Sequence, residues 1–144
     1  MIDKFEEEYF FLSNFYPSPF VFKEGEDEFI AKTVEHYFQY AKTPSMEEGI
    51  EILNATTPAK AKRLGRNCHL RKDWEIIKDD VMLFALREKF SNPELRNKLL
   101  ATGDEELVEG NWWKDTYWGV CEGVGQNKLG KLLMQIREEI RNDT

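Results

Sequence analysis

Asp73-Trp74-Glu75-Ile76-Ile77-Lys78-Asp79-Asp80-Val81-Met82-Leu83-Phe84-Ala85-Leu86-Arg87-Glu88-Lys89-Phe90 carries the longest helical pattern in the chain. Trp74, Ile77, Val81, Phe84 and Ala85 recur at helical spacing, while a strand would alternate apolar and polar residues. Ile76, Leu83 and Leu86 add apolar side chains off that stripe, so the pattern predicts a central, mostly buried helix. Whatever else the chain builds must pack around it.

Helical signals flank this stretch on both sides. Upstream, Thr33 reads as an N-cap, followed by a core face of Val34, Tyr37, Phe38 and Ala41; Glu35, Gln39 and Lys42 share a second, polar face. Pro44 ends that helix, Met46 to Asn54 resembles another, and Thr57-Pro58 opens a third. Downstream, Asn92-Pro93 starts a helix stopped at Gly103. The last helix puts Leu129, Leu132, Leu133, Ile136 and Ile140 on one stripe, with Arg137, Glu138, Glu139 and Arg141 facing out. β-structure is sparse. Tyr9-Phe10-Phe11-Leu12 reads as a short strand, and Phe20-Val21-Phe22 and Phe29-Ile30 flank a Gly-containing turn, as in a hairpin. Leu107-Val108 and Thr116-Tyr117-Trp118 are further short strand candidates. The expected fold is α+β: one helix-rich domain over residues 1–144 with a small β-sheet, without repeats or linkers.

Composition limits the chemistry. The chain has 144 residues, 41% hydrophobic and 33% charged, an ordinary globular mix. Its net charge is −7 and its pI about 5.0. That balance argues against tight non-specific binding to duplex DNA, yet leaves room for a small phosphorylated ligand on a local basic patch. Cys68 and Cys121 are too few and too far apart for a disulfide scaffold. The N-terminus lacks the pattern of a secretory signal, and no apolar run approaches a bilayer span. A cytoplasmic protein with no membrane partner is expected; the oligomeric state is left open.

Several places could carry function. Glu35 lies in the first turn of its helix, where the dipole and free N–H groups favour a carboxylate as base or cation-stabilising anion; acidic residues also sit there for helix stability alone. Asp115 stands between Asn111-Trp112-Trp113-Lys114 and Thr116-Tyr117-Trp118-Gly119, either as part of a pocket wall or as a turn cap beside core aromatics. Gly123, Gly125 and Gly130 before the last helix resemble an anion-binding turn, though a plain helix entry explains them as well. Lys60, Lys62, Arg63, Arg66, Arg71 and Lys72 are the one basic concentration. Trp74 could stack on a base or anchor its helix. His36, His69 and the two cysteines lack zinc-ligand spacing, so no metal is expected.

The ordered set Phe11-Leu12-Ser13-Asn14-Phe15, Thr33-Val34-Glu35-His36-Tyr37-Phe38-Gln39 and Leu64-Gly65-Arg66 resembles the YbiA-like, or NADAR, family. Arg71-Lys72-Asp73-Trp74, Leu107-Val108-Glu109, Asp115-Thr116-Tyr117-Trp118-Gly119 and Asn127-Lys128-Leu129-Gly130 with Leu133-Met134 extend the likeness in family order. The resemblance implies an N-glycosidase with no metal or redox cofactor, cleaving between a ribose anomeric carbon and an amine nitrogen. Its substrate classes are ribosylamino-pyrimidine phosphates of early riboflavin biosynthesis and, in other branches, ADP-ribose on guanine in nucleic acid. The family's essential Glu falls on Glu35, its stacking Trp on Trp74, its Asp and Trp on Asp115 and Trp118, and its early Asn on Asn14, taken as a substrate contact. Arg66 and Lys128 are the candidates for phosphate. Val120-Cys121-Glu122 departs from the Gly and Asp of some relatives, which bears on substrate choice. The expected partner is a small phosphorylated ribosyl-heterocycle; ADP-ribosylated nucleic acid and a non-catalytic module for ADP-ribose-like nucleotides are the alternatives.

Overall fold

The computed structural model describes residues 1–143. The chain divides into two compact units, one formed by Asn14–Lys89 and the other by Met1–Ser13 with Phe90 onward.

In the Asn14–Lys89 unit, β1 (Phe20–Glu24) and β2 (Asp27–Ala31) form the expected antiparallel hairpin, with Phe22 opposite Phe29 and Lys23 opposite Glu28. Gly25 turns the chain at φ +63°, a left-handed conformation that favours glycine. Phe22 packs its ring 4.8 Å from Tyr37 and 5.1 Å from Tyr40. Four helices follow: α1 (Val34–Ala41), α2 (Met46–Leu53), α3 (Pro58–Arg66) and α4 (Trp74–Lys89). Phe22, Ala31, Tyr40, Ile52, Leu53, Ala55 and Ala61 form its core cluster.

The central helix of this unit is α1, and α4 is not. α1 packs against α2, α3 and α4, and six of its eight residues are buried: Val34, Glu35, His36, Phe38, Gln39 and Tyr40. α4 buries five of sixteen, Trp74, Met82, Ala85, Leu86 and Lys89. Ile76 is 82% exposed. Apolar side chains off the packing stripe are common on protein surfaces, so their presence in the sequence did not demand burial.

The other unit holds α5 (Pro93–Ala101) packed with α6 (Lys128–Asn142), and a two-residue parallel pair, β3 (Gly110–Asn111) and β4 (Val120–Cys121). Leu95, Leu99, Leu129, Leu133, Ile136 and Ile140 are buried on the two helices. Four expectations fail here. Tyr9–Leu12 is not a strand but part of a 3-10 helix, Glu7–Leu12, which buries the adjacent Phe11 and Leu12 together where a strand would split them between faces. Leu107 makes a single bridge to Ile2, and Thr116–Trp118 forms no strand because its backbone groups are engaged elsewhere, as described below. Arg137 does not face out: it is buried and donates from Nη1 to Thr102 Oγ1 at 2.9 Å.

Candidate functional site

Within the Asn14–Lys89 unit the site is built on the start of α1. Thr33 caps it as expected, its Oγ1 accepting from His36 N at 3.1 Å. The same hydroxyl lies 2.8 Å from His36 Nδ1, and His36 Nε2 lies 3.0 Å from the Ala55 carbonyl oxygen. A carbonyl only accepts, so Nε2 carries the proton and Nδ1 receives the Thr33 hydroxyl. Burial lowers the His36 pKa; this histidine is a neutral brace. It leaves the next polar side chain, Glu35, as the chemically useful one.

Glu35 is 6% exposed and sits at the second helical position, among the free N–H groups of a helix start. Its own N–H donates to the Asn14 carbonyl oxygen at 3.1 Å. Gln39, one turn on, donates from Nε2 to Glu35 Oε1 at 3.1 Å. Asn14 places Nδ2 3.6 Å from Met82 Sδ, while its Oδ1 is buried with no partner. Asn14 and Glu35 are thus brought together. Trp74 is 5% exposed and meets Phe38 edge-on at 5.0 Å. Lys42 Nζ stands 5.6 Å from the Phe38 ring centre. Burial lowers the Lys42 pKa; the Glu35 charge opposes that shift, while Lys62 and Arg66 add to it. Arg66 itself is exposed at the end of α3. A carboxylate beside Lys42, with Lys62 and Arg66 close enough to act on that lysine, is suited to an anionic substrate.

In the other unit, Asp115, Trp118 and Lys128 are drawn together by one hydrogen-bonded loop. Asp115 Oδ1 accepts from Tyr117 N at 3.1 Å and Trp118 N at 2.9 Å. Its Oδ2 has no partner among the described residues. Asn111 ties the loop's base, donating to the Asp115 carbonyl oxygen and accepting from Asp115 N. Trp118 meets Tyr117 edge-on at 4.9 Å, and Lys128 Nζ stands 5.7 Å from the Tyr117 ring centre. Asp115 is therefore a turn cap with one oxygen to spare.

The glycine-rich turn is a helix entry and not an open anion site. The carbonyl oxygens of Thr116, Tyr117, Trp118 and Gly119 accept from Gln126, Lys128, Leu129 and Asn127 N–H groups at 2.8 to 3.3 Å. Four successive donors at this end of α6, from Gln126 to Leu129, are spent on the 116–119 segment, which also keeps that segment from pairing as a strand. Asn127, at φ +53°, pins the arrangement by accepting from Glu109 N and donating to the Leu107 carbonyl oxygen. A Cβ at Gly130 would lie 2.0 Å from that same carbonyl oxygen.

Sequence reasoning missed Lys89. It is 2% exposed, its Nζ lies 5.6 Å from the Tyr16 ring centre, and burial pushes its amine down to about 7. Nothing in Arg87-Glu88-Lys89-Phe90 signals a buried cation. Among the described residues no group of three or more His, Cys, Asp or Glu is placed to hold a metal ion, and no helix is long and apolar enough to cross a membrane.

Comparison with known proteins gives this arrangement a family. The NADAR domain model matches residues 2–141. The chain belongs to the NADAR family. The N-glycosidase YbiA of Escherichia coli K12 is 46% identical, across 75% of this chain and 69% of that protein. An N-glycosidase of Nostoc punctiforme is 44% identical, across 76% and 74%. A riboflavin biosynthesis protein of Vibrio vulnificus is 39% identical over 94% of this chain, which spans 37% of that longer protein. The NMR structure of E. coli YbiA superposes on this NADAR chain with a TM-score of 0.82 and 38% identity, covering 99% of this chain and 88% of that one. That likeness bears out the helix-rich α+β fold.

Proposed function

We propose that this NADAR protein hydrolyses the N-glycosidic bond of a phosphorylated ribosylamine, such as the ribosylamino-pyrimidine phosphates of early riboflavin biosynthesis. The chain is an N-glycosidase. The observation that carries the mechanism is Glu35: a buried carboxylate at a helix start, anchored by Gln39 and neighboured by Lys42. As the C–N bond of the substrate breaks, the ribose anomeric carbon becomes oxocarbenium-like, and a fixed anion stabilises that charge better than water does. Glu35 fills this role and takes a proton from the attacking water; the water oxygen bonds to the anomeric carbon while the bonding pair and a proton pass to the amine.

The remaining assignments follow the family resemblance and the local geometry. Asn14 offers its unmatched Oδ1 to a substrate N–H or O–H. Asp115 Oδ2 orients water, holds ribose hydroxyls or assists the leaving amine. Trp118, half-buried, is the stacking platform, a contact worth roughly 1–3 kcal/mol per base. Trp74 has little free face and contributes by holding Phe38. Arg66 is the candidate phosphate contact of the Asn14–Lys89 unit, and Lys128 that of the other unit. The family match takes in residues of both units, and we read residues 1–144 as one catalytic domain, acting in the cytoplasm.

Mass spectrometry of products tests the reading. Wild-type protein should release the pyrimidine and ribose phosphate from the ribosylamino-pyrimidine substrate, and Glu35→Gln should slow this by roughly a hundred- to ten-thousandfold. Near-normal turnover by Glu35→Gln would remove Glu35 from the mechanism. An oligonucleotide bearing ADP-ribosyl-guanine is the second arm: release of ADP-ribose there, with the pyrimidine substrate untouched, would replace the proposed substrate class. Binding of ADP-ribose with no product in either arm would make the chain a binding module.

A further inference from the structure

Gln39 is 3% exposed, yet its carboxamide is satisfied at one end only. Nε2 donates to Glu35 Oε1 at 3.1 Å, whereas Oε1 is buried and accepts no hydrogen bond. Turning the amide over would set its oxygen against the Glu35 carboxylate, acceptor facing acceptor, so the carboxylate fixes which end is which. A buried acceptor without a donor destabilises the fold and calls for a reason. The second observation lies on α3. A Cβ at Gly65 would stand 1.9 Å from Gln39 Oε1 and 2.7 Å from its Cδ. The α3 backbone therefore presses directly on the amide. Glycine inside a helix is unfavourable relative to alanine, and Gly65 shows no left-handed φ that would explain it. Close approach does.

We propose that Gln39 is the positioning residue of the Glu35 carboxylate and that position 65 is kept without a side chain so that α3 can seat the Gln39 amide. The proposal rests on the role given to Glu35 above. With Oε1 anchored, the plane of the carboxylate is fixed, and with it the direction in which negative charge is presented to the sugar. The unmatched Gln39 oxygen is the cost of using the other end of the amide on a reacting group.

Gln39→Met decides between positioning and packing. It keeps the side chain's length but removes both the donor and the unmatched acceptor. The expected result is a melting temperature equal to or above wild type, kcat lower by roughly ten- to a hundredfold and KM within about twofold, since a misdirected catalytic group loses rate before affinity. Gly65→Ala should reproduce the kcat loss by displacing the amide. Added to Gln39→Ala, it should cause little further loss, because the amide it would strike is gone and only the Gln39 Cβ, 3.1 Å from the new methyl, has to give way. A Gln39→Met enzyme with unchanged kcat, or strictly additive losses in the double variant, would overturn the proposal. A readout independent of turnover comes from ¹⁵N NMR of the wild-type protein. The Gln39 side-chain amide protons should exchange slowly, and Glu35→Ala should abolish that protection; rapid exchange in wild type would also overturn the proposal. If the amide is protected but wild type releases no heterocycle from any ribosylamine, the positioning contact stands and the substrate reading falls.

Discussion

One carboxylate and one lysine show how position decides what an ionisable side chain does. Asp115 works as a turn cap through Oδ1 and has Oδ2 to spare, so the two jobs can be separated. Asp115→Asn keeps an oxygen to accept from Tyr117 N and Trp118 N but loses the charge; its melting temperature should stay within about 2 °C while kcat/KM falls tenfold or more. Asp115→Ala should lose the activity and about 1 kcal/mol of stability as well, as lost caps do. Equal activity of the Asn variant and wild type, measured by product release, would leave Asp115 as a cap only. Lys89 presents the opposite balance. The unfolded chain holds a lysine proton up to about 10.5, while burial lowers the folded amine to about 7. The native state therefore binds fewer protons between those values, and its stability is lost progressively as pH falls from about 10.5 toward 7. Lys89→Met should raise the melting temperature at pH 7, with the gain shrinking as pH approaches 10. A gain independent of pH would mean that Lys89 stays charged when folded.

Elements whose ends are set by neighbouring residues were legible in the sequence. Thr33, Thr57-Pro58 and Asn92-Pro93 all cap the helices expected of them, because a cap needs only its own side chain and the next few N–H groups. The hairpin was equally readable from its turn. The misread segments depend on distant partners: Thr116–Trp118 gives its carbonyl groups to the α6 entry, and Arg137 is buried by a hydroxyl 35 residues away. The site divides in the same way. Glu35 stood out because its helix start is local. Gln39 against Gly65 did not, since that contact exists only where α3 crosses α1. Thr33 joins both categories, capping α1 and bracing His36. Thr33→Ala should therefore cost about 1–2 kcal/mol in urea unfolding, at the upper end for a cap, while Thr33→Ser, which keeps the hydroxyl, should recover most of it. An Ala variant as stable as wild type would show that α1 is held by packing alone.

Taken whole, the chain sets 27 acidic against 20 basic residues, and this bears on the choice between a free metabolite and a nucleic-acid end. Duplex binding gains its affinity by releasing counterions from phosphates, which takes many Lys and Arg contacts and gives a steep salt dependence. Among the described residues the cations that act on Lys42 or His36, beside Glu35, are few: Lys32, Lys62 and Arg66, with Lys42 itself. That number suits one or two phosphates on a small substrate and is far short of a duplex track. Fluorescence anisotropy with an unmodified labelled duplex should accordingly show a dissociation constant weaker than roughly 10⁻⁴ M at physiological salt, the weak edge of non-specific binding. Lowering the salt should strengthen it with a slope of only one or two phosphates. A low-micromolar constant with a steep slope would reveal a basic surface that the net charge conceals. It would also shift the weight of argument toward ADP-ribosyl-guanine at a nucleic-acid end, because an enzyme acting on a free ribosylamine gains nothing from holding the polymer.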